Sequence, residues 1–484
     1  MHELSHRRRM LVLAICCMSL LLVSLDNTVL NVALPAMRRE LDASVAGMQW
    51  TIDAYTLVLA SLLILAGSTA DRIGRRKVFT AGLVLFTAGS LLCSLAPSLE
   101  WLVVFRMIQA VGGSMLNPVA MSLITNTFTD PRERARAIGV WGAVVGVAMA
   151  AGPLIGGLLV DTVGWRSIFW INLPVGLLAL ALTLRYVPES RADHPRAPDP
   201  VGQLLIMAML GSVTYGIIEA PAEGWTSGVI LGCAAVAVAS LIGLLVYEPR
   251  RAQPLIDPRF FRSAPFSGAT VIAVSAFAAL SGFLFLNTLY LQDVRGLDAL
   301  HAGLYMLPMA ALTGLCAPIS GRLVGSRGPR LPLLVAGVAM AASGLLFAVF
   351  EAESSTPLLF AGYVLFGLGF GMVNAPITNT AVSGMPRSQA GVASAIASTS
   401  RQTGGMLGVA VIGAVLAAGT AHGGSFQAAT RPAWWIITAC GLLVLAVGAA
   451  TSGAWAHGTA LRTARELESE PAPSPSPAGA PPRG

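Results

Sequence analysis

The stretch Gly67-Ser-Thr-Ala-Asp-Arg-Ile-Gly-Arg-Arg-Lys77 separates the second and third long apolar runs of the chain. A degenerate copy, Gly321-Arg-Leu-Val-Gly-Ser-Arg-Gly-Pro-Arg330, follows the tenth apolar run at an offset of 254 residues. The copy keeps two glycines and one arginine, but it has glycine where the first loop has Asp71. A loop repeated between corresponding helices is typical of transporters built from two related halves. The repeat therefore predicts two six-helix halves.

Composition places the chain in a membrane. Of its 484 residues, 55% are hydrophobic and 11% are charged, and the mean hydropathy is +0.71. Soluble domains contain roughly 25% charged residues. Backbone groups in lipid must bond internally, and the runs lack the two-residue alternation of barrel strands, so we expect an all-α membrane protein. The fourteen predicted spans are 11–34, 49–70, 78–97, 100–126, 137–160, 167–187, 201–220, 226–247, 264–291, 299–321, 331–350, 356–382, 391–418 and 432–455.

Basic residues predict the orientation of these spans. Of the 31 Lys and Arg residues, 24 lie on the side of the N-terminus, five lie in loops on the opposite side and two lie within spans. Short cytoplasmic loops carry an excess of Lys and Arg. Both termini are therefore expected in the cytoplasm of a bacterial cell, with the spans in its inner membrane. The net charge of +7 then reflects topology, and no nucleic-acid partner is expected.

The repeat also predicts how the chain is divided. We expect a cytoplasmic N-terminus (1–10), an N-terminal half (11–187), linkers with an inserted helix pair (188–263) and a C-terminal half (264–455). Residues 456–484 end in alternating Pro, Ala and Ser. Because such a composition cannot build a packed core, we expect a disordered cytoplasmic tail.

Ionisable residues are rare within the spans and are candidates for function, because a charge in lipid is costly. Asp26 is the only charged residue between 11 and 34, and Arg106 lies at a similar depth in span 4. We expect the two to pair and Asp26 to carry a proton; the alternative is a fixed ion pair that only joins the two spans. Asp53, one turn inside span 2, is expected either to take part in coupling or substrate contact or to be solvated near the outer mouth.

Two further charges lie within spans. Glu219, near the end of span 7, is expected to be structural more than functional. Arg401, ten residues into span 13, either has a function or bonds a backbone carbonyl or the 67–77 loop. The sequence shows no mid-span histidine, metal-ligand cluster, P-loop or nucleophile–base set, so neither an enzyme, an ATP-driven pump nor a metal site is expected.

Several motifs follow each other in order on these spans. They are Leu25-Asp26 with Asn31 to Pro35, Trp50 to Leu57, the 67–77 loop, Arg106-Met-Ile-Gln109-Ala-Val-Gly112-Gly113 and Gly146 to Gly157. Over about residues 10–455 the chain resembles the major facilitator superfamily, and within it the fourteen-span drug:proton antiporters. Ala110 stands where that family usually has glycine.

The resemblance implies roles for two of these motifs. The 67–77 loop would act as a latch between the halves in the outward-facing state, and the fifth span, the antiporter motif, would set the direction of export. Glycines four residues apart also permit close helix approach, and a proline bends a helix. The latch residues are Gly67, Asp71, Arg72, Gly74, Arg75 and Arg76, and the antiporter-motif residues are Gly146, Gly152, Pro153, Gly156 and Gly157.

Substrate contacts are expected from polar and aromatic side chains within the spans, beside Met and Phe side chains that can repack around varied ligands. Trp50 and Tyr290 fit interfacial positions equally well. The candidates are Asn31, Trp50, Tyr55, Asn117, Asn287, Tyr290 and Asn374.

These features together predict a proton-coupled exporter of hydrophobic or cationic drugs that works by alternating access. Its expected partners are the lipid bilayer, a drug or natural product and protons; it is expected to be monomeric and to need no cofactor, since the proton gradient supplies the energy. The alternatives are an exporter of one self-made natural product, a permease for a small acid or peptide, and a membrane sensor or scaffold.

Overall fold

The computed structural model describes residues 5–192, 198–251, 254–349, 356–383, 385, 389–421 and 425–468. These residues form a helical bundle with a π-helical turn at Tyr290–Val294 and a 3₁₀ turn at Pro258–Arg262. The helices are α1 (His6–Glu40), α2 (Val45–Ile73), α3 (Arg75–Ser94), α4 (Leu99–Thr127), α5 (Pro131–Thr162), α6 (Ser167–Trp170), α7 (Asn172–Tyr186), α8 (Pro200–Glu223), α9 (Gly228–Tyr247), α10 (Ala264–Leu289), α11 (Ala299–Arg327), α12 (Arg330–Val349), α13 (Thr356–Val382), α14 (Ala390–Ala421), α15 (Phe426–Thr451) and α16 (Ala454–Glu468).

Fourteen helical segments of the described chain are long and apolar enough to cross a membrane, as predicted. The short α6 and the following α7 together form the sixth of them. Several helices begin where a side chain satisfies the free N–H groups of the first turn. Asp130, for example, accepts hydrogen bonds from the N–H groups of Arg132 and Glu133 (both 2.9 Å) just before the proline that opens α5.

The repeated loops turn on equivalent glycines. Gly74 (φ 125°) separates α2 from α3, and Gly328 (φ 81°) separates α11 from α12. Residues with side chains rarely adopt positive φ. The same backbone requirement at both positions explains why glycine is kept in the two copies while the acidic residue is not.

Buried apolar side chains form separate clusters. One cluster, around Phe79 and Phe86, consists mainly of side chains from helices before residue 188. Another, around Phe283 and Phe366, consists mainly of side chains from helices after residue 263 and also includes Leu34, Met48 and Met149 of the N-terminal half. A small cluster that includes Ile206 places α8 on α2 and α14. The inserted pair α8–α9 therefore packs at the side of the bundle, where α2 of one half meets α14 of the other.

The two halves contact each other mainly through α5 with α11 and α2 with α14. Hydrogen bonds between the halves lie at one end of the bundle, the end that contains residues 41–44, 95–98 and 295–298. The sequence predicts this end to be external, and we call it the outer end. There Gln292 donates to the carbonyl of Val32 (2.8 Å), and Gln49 donates to the carbonyl of Ala410 (2.8 Å). The halves are therefore closed against each other at the outer end.

The predicted disordered tail, 456–484, includes residues that are helical in the structure. Residues 456–468 lie in α16, whose inward face, including Ala456 and Ala460, packs on α10 and the Pro258–Arg262 turn. Thr459 accepts a hydrogen bond from the N–H of Ala264 (2.9 Å). The prediction was wrong here because the helix-forming composition of 454–468 was merged with the Pro-rich residues that follow; 469–484 lie outside the described residues.

Candidate functional site

Asp26 lies inside the N-terminal half, on α1, and is 3% exposed. Its Oδ2 is 2.5 Å from Nη1 of Arg106 on α4. Its Oδ1 accepts hydrogen bonds from the side-chain amides of Gln109 (2.9 Å) and Asn172 (2.8 Å). The predicted pairing of Asp26 with Arg106 is confirmed, and three side chains donate to this carboxylate.

Arg106 is fully buried and connects three helices. Beside Asp26 on α1, its guanidinium donates to the Oε1 of Gln109 (2.8 Å) and to the carbonyl of Thr51 on α2 (3.4 Å). Its Cζ lies 4.1 Å from the ring centroid of Tyr55, a cation–π contact. A buried guanidinium needs a counter-charge, and within the described chain its ion-pair partner is Asp26. The charge on Asp26 therefore acts on α2 through Arg106.

Gln109 and Asn172 were not among the predicted site residues. Gln109 follows Arg106 by three residues, a spacing that places both side chains on one helix face, and this spacing could have identified it. Asn172 opens α7 and also donates to the hydroxyl of Ser90 (3.0 Å). Its signal was weaker, since one amide at the start of an apolar span often serves only to satisfy backbone groups.

Glycines let the surrounding helices approach this site closely. A Cβ on Gly89 of α3 would lie 2.7 Å from the Cα of Gln109, and a Cβ on Gly113 of α4 would lie 2.8 Å from the hydroxyl of Tyr55. Real Cβ atoms do not approach other atoms that closely. The glycines thus hold α3, α4 and α2 together around the polar cluster of Asp26, Arg106 and Gln109.

Asp53 is fully buried, and neither of its carboxylate oxygens has a hydrogen-bond partner in the described part of the chain. The alternative of a solvated residue near the outer mouth is therefore wrong. Helix α2 begins at Val45, earlier than predicted, because Ser44 caps it by accepting from the N–H of Gly47 (3.1 Å). Asp53 lies two turns inside the helix, not one.

The remaining intramembrane charges have local partners. Glu219 accepts a hydrogen bond from the indole N–H of Trp50 (2.7 Å), which joins α8 to α2. This contact supports the expected structural role of Glu219. Arg401 donates to the hydroxyl of Thr378 on α13 (2.5 Å). Within the described chain this partner is neither of the two that the sequence suggested for a structural role, a backbone carbonyl or the 67–77 loop.

A narrow pocket lies between the two halves, where α1 and α5 face α10 and α11. Its lining is apolar apart from two hydroxyls and one amide, and it contains no charged side chain. The lining residues are Thr28, Asn31, Val32, Met149, Pro153, Leu284, Thr288, Met306, Met309 and Ala310.

Of the seven predicted substrate residues, Asn31 lines this pocket. Tyr55 lies against Arg106 instead, and Trp50 lies against α8. Asn287 accepts a hydrogen bond from the hydroxyl of Tyr363 within the C-terminal half (2.8 Å). The prediction did not place these three residues correctly, because the position of a residue along a span does not show which neighbour its helix face contacts.

The other three predicted substrate residues also lie outside the pocket's lining. Tyr290 is nearly buried, and its hydroxyl accepts from the Nε of Arg295 (2.9 Å). Asn117 on α4 and Asn374 on α13 are half-buried. Of the seven, only Asn31 is among the described residues that line this pocket, and its contact with substrate stays a prediction.

Comparison with known proteins agrees with this geometry. Residues 16–409 match the family model of the Major Facilitator Superfamily. The chain belongs to the Major Facilitator Superfamily. Membership makes it a multi-pass membrane transporter and not an enzyme.

Two relatives are similar over most of the chain. The multidrug resistance protein Stp of Mycobacterium tuberculosis is 39% identical over 85% of this chain and 77% of its own length. The tetracenomycin C resistance and export protein of Streptomyces glaucescens is 39% identical over 82% of this chain and 74% of its own length. Among solved structures, a bacterial homologue of the human lysosomal transporter Spinster, in an inward-facing and unoccupied conformation, covers 97% of this chain and 100% of its own with a TM-score of 0.63. At 20% identity, that likeness supports the major facilitator fold alone.

The 67–77 loop of this transporter is bound to its own half. Asp71 pairs with Arg75 (2.8 Å), and its carbonyl accepts from the N–H of Ala192 (3.1 Å). Arg76 donates through its N–H to Glu189 (3.1 Å) and through its side chain to the carbonyl of Leu184 (2.5 Å). These contacts fasten the loop to the end of α7. The latch between halves, which the resemblance assigns to the outward-facing state, stays a prediction.

The antiporter motif lies between α1 of its own half and α11 of the other. Gly152 and Gly156 face α1, where an added Cβ at Gly156 would lie 3.0 Å from the side chain of Val29. Gly157 faces α11, where an added Cβ would lie 2.5 Å from the Cα of Leu300. Gly146 faces Gly314 of α11 at 3.7 Å on the same measure. The motif thus provides the close contact between the halves, as its glycine spacing predicts.

Proposed function

We propose that this transporter is a drug:proton antiporter that exports hydrophobic small molecules by alternating access. The observation that carries the proposal is the buried carboxylate of Asp26, held by Arg106, Gln109 and Asn172. A buried ion pair within a membrane span is costly and is rarely kept for stability alone. The names of the relatives, which describe drug resistance and export, support the same function.

Proton binding to Asp26 would change the contacts of three helices. A proton on the carboxyl of Asp26 removes the counter-charge of Arg106. Arg106 would then have Gln109, the carbonyl of Thr51 and the ring of Tyr55 as its remaining neighbours. Because Thr51 lies on α2, and α2 packs on α14 of the other half, the protonation state of Asp26 reaches the contact between the halves. This gives the proton a route to the alternating-access equilibrium.

Asp53 is the second candidate for proton coupling. It lies on α2 two residues after Thr51, whose carbonyl accepts from Arg106. Its carboxylate is fully buried and has no hydrogen-bond partner in the described part of the chain. Asp53 would therefore supply a second buried carboxyl group close to the contact of Arg106 with α2.

The pocket between the halves would receive the transported molecule. Its methionines can adapt to differently shaped apolar ligands, and Thr28, Asn31 and Thr288 supply the hydrogen bonds. No charged residue lines this pocket, and Asp26 is fully engaged within its own half. Within the expected class of hydrophobic or cationic drugs, the lining favours hydrophobic ligands without a permanent charge.

In the proposed cycle, the proton gradient supplies the energy for export. With both termini in the cytoplasm of a bacterial cell, protons would enter from the outer end while the drug leaves. Such a cycle needs no cofactor and is complete within one chain. The 67–77 loop would form its latch contact between the halves when the inner end closes.

The test is transport in proteoliposomes with an imposed pH gradient, using matched neutral and permanently cationic fluorescent dyes. The wild-type protein should move the neutral dye against its gradient, and Asp26→Asn should abolish this movement while the protein stays folded. Glu219→Gln removes another intramembrane acid, whose hydrogen bond is to Trp50, and should transport like the wild type. Unimpaired pH-driven efflux by Asp26→Asn would remove the proposed role of Asp26.

A narrower version of this function is an exporter of one self-made natural product. The name of the tetracenomycin C relative, which specifies one compound, supports it, whereas the name of Stp supports a broad range. Drug susceptibility of an expressing strain across a panel of unrelated compounds separates the two. Resistance to a single compound would favour the narrow exporter.

A further inference from the structure

The end of α5 makes an unusual contact with the other half of the transporter. Asp161 lies in the last turn of α5. Its carboxylate accepts hydrogen bonds from the backbone N–H groups of Ala299 (3.3 Å) and Leu300 (2.8 Å), the first two residues of α11. One half thus supplies a carboxylate to the helix N-terminus of the other half, at the outer end.

This position of Asp161 is unfavourable within its own helix. The C-terminus of a helix carries partial negative charge, so an acidic side chain in the last turn is destabilising there. The N-terminus of α11 carries partial positive charge and attracts the same carboxylate. In the described part of the chain, Asp161 has no ion-pair partner within its own half. Its charge is therefore stabilised chiefly while α5 and α11 are in contact.

Helix α11 has a cap of its own, so Asp161 is not needed to begin it. Asp298 accepts a hydrogen bond from the N–H of His301 (2.7 Å), and its carboxylate also contacts the imidazole of His301. The two carboxylates divide the free N–H groups of the first turn, since Asp298 takes the third and Asp161 takes the first two. The contribution of Asp161 is thus the link between halves, and not the formation of the helix.

The backbones of α5 and α11 pack closely beside Asp161, which fixes its carboxylate at the N-terminus of α11. Gly157, one turn before Asp161, packs directly on Leu300, so that an added Cβ would lie 2.5 Å from its Cα. Nearby, Arg38 of α1 pairs with Asp293 of the other half (3.3 Å). These contacts converge on the same end of the bundle, where the halves must separate if the pocket is to open outward.

We propose that Asp161 holds the outer gate of this transporter closed through its contact with the N-terminus of α11. Asp161 is exposed, so water replaces the two N–H donors when the halves separate at the outer end. The carboxylate then loses the favourable N-terminus of α11 but stays at the unfavourable C-terminus of its own helix. The contact therefore favours the inward-facing state over the outward-facing one. It acts on the gate in any alternating-access cycle, whichever substrate or ion drives the transport.

The test measures the width of the outer end by spin-label distances in the full-length protein in liposomes. Labels are placed on cysteines introduced at Leu95 and Ala428, which are exposed positions at the outer end of opposite halves. The six native cysteines lie within the spans, so a membrane-impermeant reagent labels the introduced pair. Asp161→Asn should raise the ratio of the long to the short distance by roughly threefold, which corresponds to about 0.65 kcal/mol.

Asp298→Asn is the matched control, because it changes the same functional group at the same helix terminus without breaking a contact between halves. The N–H and the imidazole of His301 hold the pKa of Asp298 below its usual range, so this cap stays ionised in the Asp161 variant. Asp298→Asn should keep the wild-type distance distribution, and Asp161→Glu should largely restore it. An unchanged distribution in Asp161→Asn, or an equal shift in Asp298→Asn, would overturn the proposal.

Discussion

The interiors of the two halves differ in chemistry although their helices are arranged alike. The N-terminal half encloses the ion pair of Asp26 and Arg106 with its amide partners. The C-terminal half encloses an aromatic cluster, in which the ring centroid of Phe283 lies 4.1 Å from that of Phe366 and 5.6 Å from that of Trp434. Among the described residues of 264–455, no acidic side chain is buried, and the half-buried Arg401 donates to the hydroxyl of Thr378.

This difference suggests that the two halves have different roles in the proposed transport cycle. An ion pair can change its bonds when a proton arrives, and an aromatic cluster cannot. In the proposed cycle, the N-terminal half would therefore contain the group that responds to protons, and the C-terminal half would provide the surface against which α2 and α5 move. Substitutions on the two sides should consequently affect different measurements.

The largest effect is expected from Arg106→Ala. The substitution leaves Asp26 buried without its counter-charge, and breaking a buried pair costs roughly 3–5 kcal/mol of folding free energy. Thermal unfolding in detergent should show this loss, and pH-driven transport should be absent. If Arg106→Ala unfolds at the wild-type temperature and still transports, the pair neither stabilises the half nor couples it to protons.

A smaller effect on stability is expected from Phe283→Leu in the C-terminal half. Removing part of a stacked ring loses packing, at roughly 1–3 kcal/mol, and the unfolding temperature should fall. The pH at which transport is half-maximal should stay where it is, because the rings around Phe283 are those of Phe, Trp and Tyr, and no carboxylate or imidazole is among them. A displaced pH profile in Phe283→Leu would contradict the division between the halves.

The smallest effect is expected from Gln109→Leu, which keeps the approximate size of the side chain. It removes one of the donors to Asp26, and a carboxylate with fewer donors holds a proton more readily. Half-maximal transport should therefore move to higher pH, with a stability loss of about 1 kcal/mol.

Gln203→Leu provides the control for Gln109→Leu. Gln203 is a buried amide on α8 that donates to the carbonyl of Ser61 and is far along the bundle from Asp26. Its loss should lower stability without changing the pH profile. Equal pH shifts in both variants would mean that the shift reports general loosening of the bundle.

Sequence alone predicted the fourteen spans and the repeat, because long apolar runs and loop motifs need no knowledge of packing. It also predicted the contact of Asp26 with Arg106, since two lone charges at similar depth in lipid have few other partners. The burial of Asp53 was not predictable, because it depends on a cap that lengthens α2 and on the way α2 turns toward its neighbours.

The substrate residues show the same limit. Asn31 lines the pocket between the halves. Trp50, Tyr55 and Asn287 instead make contacts within the bundle, because a polar side chain in an apolar span pairs with whatever its helix faces. The contact of Asp161 with α11 was also hidden, since it joins residues separated by 138 positions. Only the unfavourable place of an acid at the end of α5 pointed to a distant partner.

The most direct test of the central claim is pH-difference infrared spectroscopy of the purified transporter, which detects a carboxyl group as it gains or loses a proton. The wild type should show a protonated-carboxyl band that appears as the pH falls, together with a change in the guanidinium bands of arginine. Asp26→Asn should lack both changes, and Asp53→Asn should retain them. A band that persists unchanged in Asp26→Asn, or that disappears only in Asp53→Asn, would contradict the assignment of Asp26 as the proton carrier.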